Sequence, residues 1–375
     1  MGLYRSLSGS LRRLEGSLEH KKIRFSEQRA IRRKRPIFRD VSWSEEQKAQ
    51  YTTFWRAHYG RDFPSDWHRL YESMNGRFDV QYFPEILYTA ELERRLNPDN
   101  YCEVLSDKNL LDLLTAAVPQ VRAPKTYFGC ANGSFFTGTH ELLSRAQMLT
   151  ALRDIGDAVV KPTVDTGSGK GVEVVRFHDG VDEKSGRSLE ALLAHCGRNF
   201  VIQEKIQPCE QLRQLAPSCV STIRLITYLA KNQVFHAQLV LRVGTGKSAV
   251  DNIHAGGLCI GVRDDGQLKK RAYRLGYGDC CEIFEAHPDS GLRFSEITLP
   301  KIPEMIEAAH RLHSQIPQLG IISWDFTVDR EENVVLIEVN CKDQSVWFPQ
   351  IVNEGALFGD NTADMLHLIA KEAKK

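Results

Sequence analysis

The stretch Ile321–Asn340, IISWDFTVDREENVVLIEVN, decides how the rest of the chain is read. Ile321–Val328 and Val334–Val339 are rich in β-branched and aromatic residues, and the polar Arg330–Asn333 between them supplies a turn, so the stretch predicts a β-hairpin. If Asp329 pairs with Val334, Asp325 lies opposite Glu338, and the strand period of two puts Asn340 on the face of Glu338. Directly opposed carboxylates repel, so a positive charge is expected between them. Two carboxylates and an amide oxygen are hard donors of the kind Mg2+ takes, which makes Asp325, Glu338 and Asn340 candidate metal ligands. The competing reading, an exposed hairpin with scattered acids, fits poorly with Trp324, Phe326, Leu336 and Ile337 as neighbours.

Around this hairpin the chain is ordinary for a globular protein: 375 residues, 42% hydrophobic, 26% charged, formal net charge +1. That length allows two or three domains, and that charge excludes a general affinity for nucleic acid. No apolar run is long enough to span a membrane and no signal-peptide pattern opens the chain. The nine cysteines are scattered and form no CxxC pair, which points to small core residues in a reducing, cytoplasmic compartment.

The first forty residues differ from the rest, with twelve Lys or Arg against four Asp or Glu. Leu3, Leu7, Leu11, Leu14 and Leu18 recur at helical spacing among Arg5, Arg12 and Arg13, a basic amphipathic helix suited either to the inner face of an anionic membrane or to docking on protein. Residues 41–105 read as an aromatic-rich helical domain, starting from a cap at Ser44. Ser106-Asp107 caps a further helix from Lys108, and Leu142–Arg153 reads as another.

Asp157–Lys161 is an apolar strand ending on a lysine, and VDTGSGKGVEVVRF after it reads as a hairpin with a glycine-rich turn. Thr166, Gly167, Ser168, Gly169, Lys170 and Gly171 leave backbone N–H groups free to approach phosphate oxygens. The turn is neither a P-loop nor a dinucleotide fingerprint, and its place between two strands suggests a flap over phosphates. Phe200–Ile206 is a strand running into a linker, with backbone groups suited to an adenine edge. Ser221–Val243 reads as two long strands carrying Arg224 and Arg242, each of which needs an anionic partner if buried. Gly244–Gly257 is a polar ligand loop whose Gly-Thr-Gly-Lys-Ser lacks the first P-loop glycine, since Leu241 stands there. Ile302–Ile316 is an amphipathic helix with His310 and His313 expected on its surface.

A lysine strand, a glycine flap, a linker strand, a strand arginine and a carboxylate hairpin, in that order, resemble the ATP-grasp superfamily. DKNLL, VVKP, DTGSGKGV, IQEKI, STIRLIT, DNIHAGGL, WDFTV and LIEVN are similar to the sugar-transfer-associated ATP-grasp family, which is related to α-L-glutamate ligases, from about Phe83 onward. The resemblance implies an α+β fold of two lobes, residues 106–200 and 201–375, sandwiching ATP, with the helical extension in front. It implies that Lys108 and Lys161 bind the α- and β-phosphates under the Thr166–Gly171 flap, and that Gln203, Glu204 and Ile206 meet the adenine. Glu210 would bind the ribose; Asp325, Glu338 and Asn340 would hold Mg2+; Arg224, with Lys161, would act in phosphoryl transfer. Arg242, Lys247, Asn252, His254, Gly256 and Gly257 are the candidates for the substrate side. The implied activity is ATP-dependent ligation of a small or glycan-linked carboxylate to an amine through an acylphosphate, in polysaccharide or cell-surface biosynthesis. The alternative is a kinase acting on a sugar or other hydroxyl, with His254 or Asp251 as base.

Overall fold

The computed structural model describes residues 2–153, 155–164, 171–246, 256–276 and 280–370, with side chains from residue 18 onward except that of Cys280. It opens with a helix, Gly2–Arg33, and continues through helices that include Glu45–Tyr59 and Asp66–Asn75. Ser44 caps Glu45–Tyr59 in a full capping box with Gln47, which is why that helix starts where the sequence says it should. Then come β1 (Val121–Arg122), β2 (Thr126–Ala131), β3 (Ser134–Thr137), β4 (Leu142–Leu143), β5 (Gly156–Pro162), β6 (Glu173–His178), β7 (Val181–Asp182) and β8 (Phe200–Glu204). After them run β9 (Thr222–Ala230), β10 (Gln233–His236), β11 (Leu239–Val243), β12 (Leu258–Val262), β13 (Leu268–Gly276), β14 (Cys280–Phe284), β15 (Ile321–Val328) and β16 (Val334–Asn340).

Two sheets result. The smaller has the order β4-β3-β2-β8-β5-β6-β7, and the larger the order β1-β16-β15-β9-β11-β12-β13-β14, with β10 also paired to β9. Strand β8 lies wholly in the smaller sheet, across the 200/201 division of lobes. Leu142–Arg153 splits into β4 and a helix, Arg145–Leu152, because Ser144 forms a capping box with Gln147. The second of the two long strands expected over Ser221–Val243 is broken at Ala237–Gln238 into β10 and β11, which pair with β9 in registers one residue apart.

The larger sheet buries both faces. Ile223, Leu225, Leu241, Trp324, Phe326 and the helix Ile302–Ser314 form the core on one side. On the other, Ile226, Tyr228, Val240 and Ile321 pack against the helical extension, including Trp55, Tyr71, Tyr82 and Leu87. His313, expected on the surface, is buried in the first of these cores: its ring bonds Thr227 Oγ1 at 2.7 Å and the Leu319 carbonyl at 2.9 Å. The smaller sheet has its own core, built from Ala158, Val160, Phe177, Ile202 and the helix Leu189–Cys196.

The hairpin is present, and Asp325 does pair with Glu338. Its tip is set differently from the reading: Val328, not Asp329, opposes Val334, and a bulge beside Ile337 absorbs the extra residue. On the far side Asp325 pairs directly with Arg224 of β9. Even positions of β9 and odd positions of β15 share one face of the sheet. Along that face Tyr228 and Ile226 give way to Arg224, Ile321 and Ser323 give way to Asp325, and Val240 gives way to Arg242. The apolar half carries the helical layer, and the polar half is where the site forms.

Candidate active site

The polar half holds Arg224, Arg242, Asp325, Glu338 and Asn340 on adjacent strands. Asp325 is 1% exposed and accepts a two-pronged bond from Arg224, at 2.8 and 2.7 Å, with Arg242 at 3.1 Å and the Asn340 amide at 3.2 Å. Burial alone would raise its pKa, but the two guanidiniums outweigh that and pull it down to about 2. Arg224 also lies over the Phe348 ring, 5.9 Å from its centroid, and Arg242 donates to Thr222 Oγ1 at 2.7 Å.

Glu338 is paired across the cleft with Lys108, 2.7 Å away, at the start of the short turn of helix capped by Asp107. Lys161, at the end of β5, is 7% exposed and has no carboxylate within ion-pair distance among the described residues. Burial lowers its pKa to about 8, helped by the nearby Lys108 and opposed by Glu338. The expectation of a cation between Asp325 and Glu338 is therefore met from the protein: Arg224 and Arg242 serve one carboxylate and Lys108 the other. Among the described residues Lys108, Lys161, Arg224 and Arg242 gather around the two carboxylates in a largely buried cluster. Buried cations gathered in this way suit a polyanion.

Gln203 lies in β8 with its Oε1 buried and unbonded, while its amide donates to Thr126. Thr163 Oγ1 and both polar side-chain atoms of Asn109, next to Lys108, are likewise buried without partners. Buried polar groups without partners call for an explanation, and a ligand's polar atoms would supply one. Gly171 re-enters β6 at φ +77°, where a Cβ would come within 2.9 Å of Pro162, so only glycine closes the chain this tightly on the lysine strand.

Other expected positions stand apart from the cluster. The side chain of Glu204 is held by Arg122 and the Lys125 N–H, and its own N–H is spent on the Lys125 carbonyl. Ile206 buries its side chain, and Glu210 is engaged at the surface by Arg213 and Gln214. The Gly256 carbonyl accepts from Thr245 and Arg274, and Gly257 is buried before β12. Thr166, Gly167, Ser168, Gly169, Lys170, Lys247, Asn252 and His254 lie outside the described residues.

One part of the site was not anticipated. Glu93 takes the Asp343 and Gln344 N–H groups at 3.1 and 2.9 Å, and Glu85 takes that of Val346 at 3.0 Å. Both carboxyls are buried, which raises each pKa to about 8. They sit on either side of a π-helical turn, Tyr88–Leu92, and clamp the segment that leaves Asn340. Acids in an otherwise apolar helical run were the available signal.

The model of the sugar-transfer associated ATP-grasp family matches residues 87–364. The chain belongs to that family. Its two-sheet α+β architecture behind a helical extension is the setting for the ATP-grasp motifs read above. No curated protein matches the sequence. Solved structures to which this ATP-grasp chain is similar include N5-carboxyaminoimidazole synthetase from Staphylococcus aureus with ADP (10% identity, TM-score 0.38, covering 66% of this chain and 48% of that one). Others are VanG D-Ala:D-Ser ligase from Enterococcus faecalis (13%, 0.39, 71% and 62%) and D-alanyl-alanine synthetase A from Vibrio cholerae (12%, 0.41, 71% and 66%). The chain spans about half the length of the first of these.

Proposed function

We propose that the chain is an ATP-dependent carboxylate–amine ligase. The observation that carries this reading is the meeting of Lys108, Lys161 and Arg224, from both sheets, at the Asp325–Glu338 pair. Magnesium-bound ATP is a polyanion at neutral pH, the kind of ligand such a group of cations would hold. Lys108 and Lys161 would hold the α- and β-phosphates, Arg224 would meet the γ-phosphoryl group, and the orphaned Gln203 Oε1 would accept from the adenine amine.

The donor set suits Mg2+ in part. Among the described residues no three His, Cys, Asp or Glu side chains converge, so the ion would use Glu338, the Asn340 oxygen and phosphate oxygens. Asp325, filled by two guanidiniums, would stand behind them as their counter-ion. Bound there, the metal would supply charge neutralisation on the phosphates.

The chemistry follows from where charge develops. A substrate carboxylate oxygen forms a bond to the γ-phosphorus as the bond to the β-γ bridging oxygen breaks, giving an acylphosphate and ADP. Arg224 and Lys161 stabilise the moving phosphoryl charge. An amine then forms the C–N bond, phosphate leaves, and the amine loses a proton. A carboxylate is already a nucleophile and needs no base. The family's association with sugar transfer supports an amino-acid or uronic-acid substrate, free or glycan-linked, in polysaccharide or cell-surface assembly.

The test is incubation with Mg·ATP, candidate carboxylates and hydroxylamine. Hydroxamate and inorganic phosphate are expected in equal amounts; a phosphorylated hydroxyl acceptor with no phosphate release would replace the ligase by a kinase.

A further inference from the structure

The opening helix, Gly2–Arg33, has two faces of opposite character. Its inner face docks on the body: Ile31 is buried, Glu27 is largely so, Arg24 pairs with Glu91, Arg94 with Glu19, and Lys34 lies over the Trp347 ring. At 3.6 residues per turn, Leu18 lies opposite Glu27, and Phe25, two turns on from Leu18, shares its side. Both are exposed, at 64% and 67%. Leu3, Leu7, Leu11 and Leu14 have the same helical phase in the sequence, so all six fall within an arc of about 80°. This stripe is out of phase with the docked face, so packing of the helix on its own protein does not account for it. Exposed Lys21, Lys22, Arg29, Arg32 and Arg33 rim the same side.

We infer that this outward face is a docking surface for an anionic phospholipid bilayer, on which the helix lies flat. Apolar residues backed by cations match the acyl boundary and the headgroup charge together. A second copy of the face would bring like charges together, and a nucleic-acid backbone offers nothing to the leucines. Among the described residues no helix is long and apolar enough to cross a membrane, so the contact is along the surface. The 32-residue helix is about 48 Å long and would bring the catalytic body against the bilayer.

The experiment is cosedimentation of the full chain with phosphatidylglycerol-containing vesicles and with pure phosphatidylcholine vesicles. Binding to the anionic vesicles, weakened several-fold as salt is raised, is expected. Leu18→Glu with Phe25→Glu should lower the partition coefficient at least about tenfold. Lys21→Glu with Lys22→Glu should do so by a similar factor, and circular dichroism and ATP turnover should be unchanged in both variants. Equal binding to neutral vesicles, no binding to either, or wild-type partitioning of the Leu18/Phe25 variant would overturn the inference. A dimer that becomes monomeric in that variant, without vesicle binding by the wild type, would also overturn it and assign the face to self-association.

Discussion

Replacing Asp325 with alanine removes the shared counter-ion of two guanidiniums that are only 14% and 15% exposed. Removing one partner of a buried ion pair costs about 3–5 kcal/mol, because the remaining charge stays buried and uncompensated. A second route gives a similar scale. The carboxyl is wholly buried and its pKa falls from 3.8 to about 2, since Arg224 and Arg242 outweigh the upward push of burial. That depression favours the charged form by on the order of 2 kcal/mol. The folded value is the lower one, so this stabilisation is complete above pH 3.8 and is lost as pH falls toward 2. Urea unfolding at pH 7 without nucleotide, followed by tryptophan fluorescence and circular dichroism, should show Asp325→Ala destabilised by about 3 kcal/mol. Adding Arg224→Leu should return part of that loss, with a coupling of about 1 kcal/mol or more. If Asp325→Ala unfolds at the wild-type midpoint, or the two losses simply add, Asp325 is not the counter-ion and the reasoning fails. Glu338→Gln, at a partly exposed position, probes metal dependence: Mg·ATP turnover should be lost while the circular dichroism spectrum stays that of the wild type.

Other outcomes follow from neighbouring groups. With its pKa near 8, Lys161 should be about half protonated at pH 8 in the free protein, so nucleotide binding there should take up protons. Calorimetry in buffers of different ionisation enthalpy measures this, and affinity should fall as pH rises further. Glu93→Ala should cost about 1–3 kcal/mol and raise the KM for ATP, because the buried Gln344 N–H and the partly buried Asp343 N–H lose their acceptor; Glu93→Gln should recover most of both. Thr227→Val leaves Trp324 Nε1 and the His313 ring without their common partner, and should cost about 1–3 kcal/mol with a shift in Trp324 emission.

The hairpin was legible because strong β formers flank a polar turn, and the Asp325–Glu338 pairing came out right although the tip was misplaced by one residue. The bulge beside Ile337 cancelled that error, and nothing local in the sequence marks it. The switch from apolar to charged residues within one strand phase, Tyr228–Ile226–Arg224, is legible in the sequence and locates the site along β9. His313 could have been placed inside, since it keeps the helical phase of Ile302, Met305, Ala309 and Leu312. The pairs Lys108–Glu338 and Arg242–Asp325 could not, because they join positions far apart in sequence across a cleft and across strands whose order is set by tertiary packing. For the same reason Arg242, assigned from sequence to the substrate side, joins Arg224 on Asp325.

The bulge beside Ile337 has a consequence for tolerance to change. Asp325 is indexed from β9, through its pairing with Arg224, and the turn at Arg330–Asn333 lies beyond the bulge. The irregularity separates the register of the tip from that of the Asp325–Glu338 pair. A peptide tag or a reporter inserted at Glu331 should leave the carboxylates where they are, which makes this turn a practical attachment point close to the cleft.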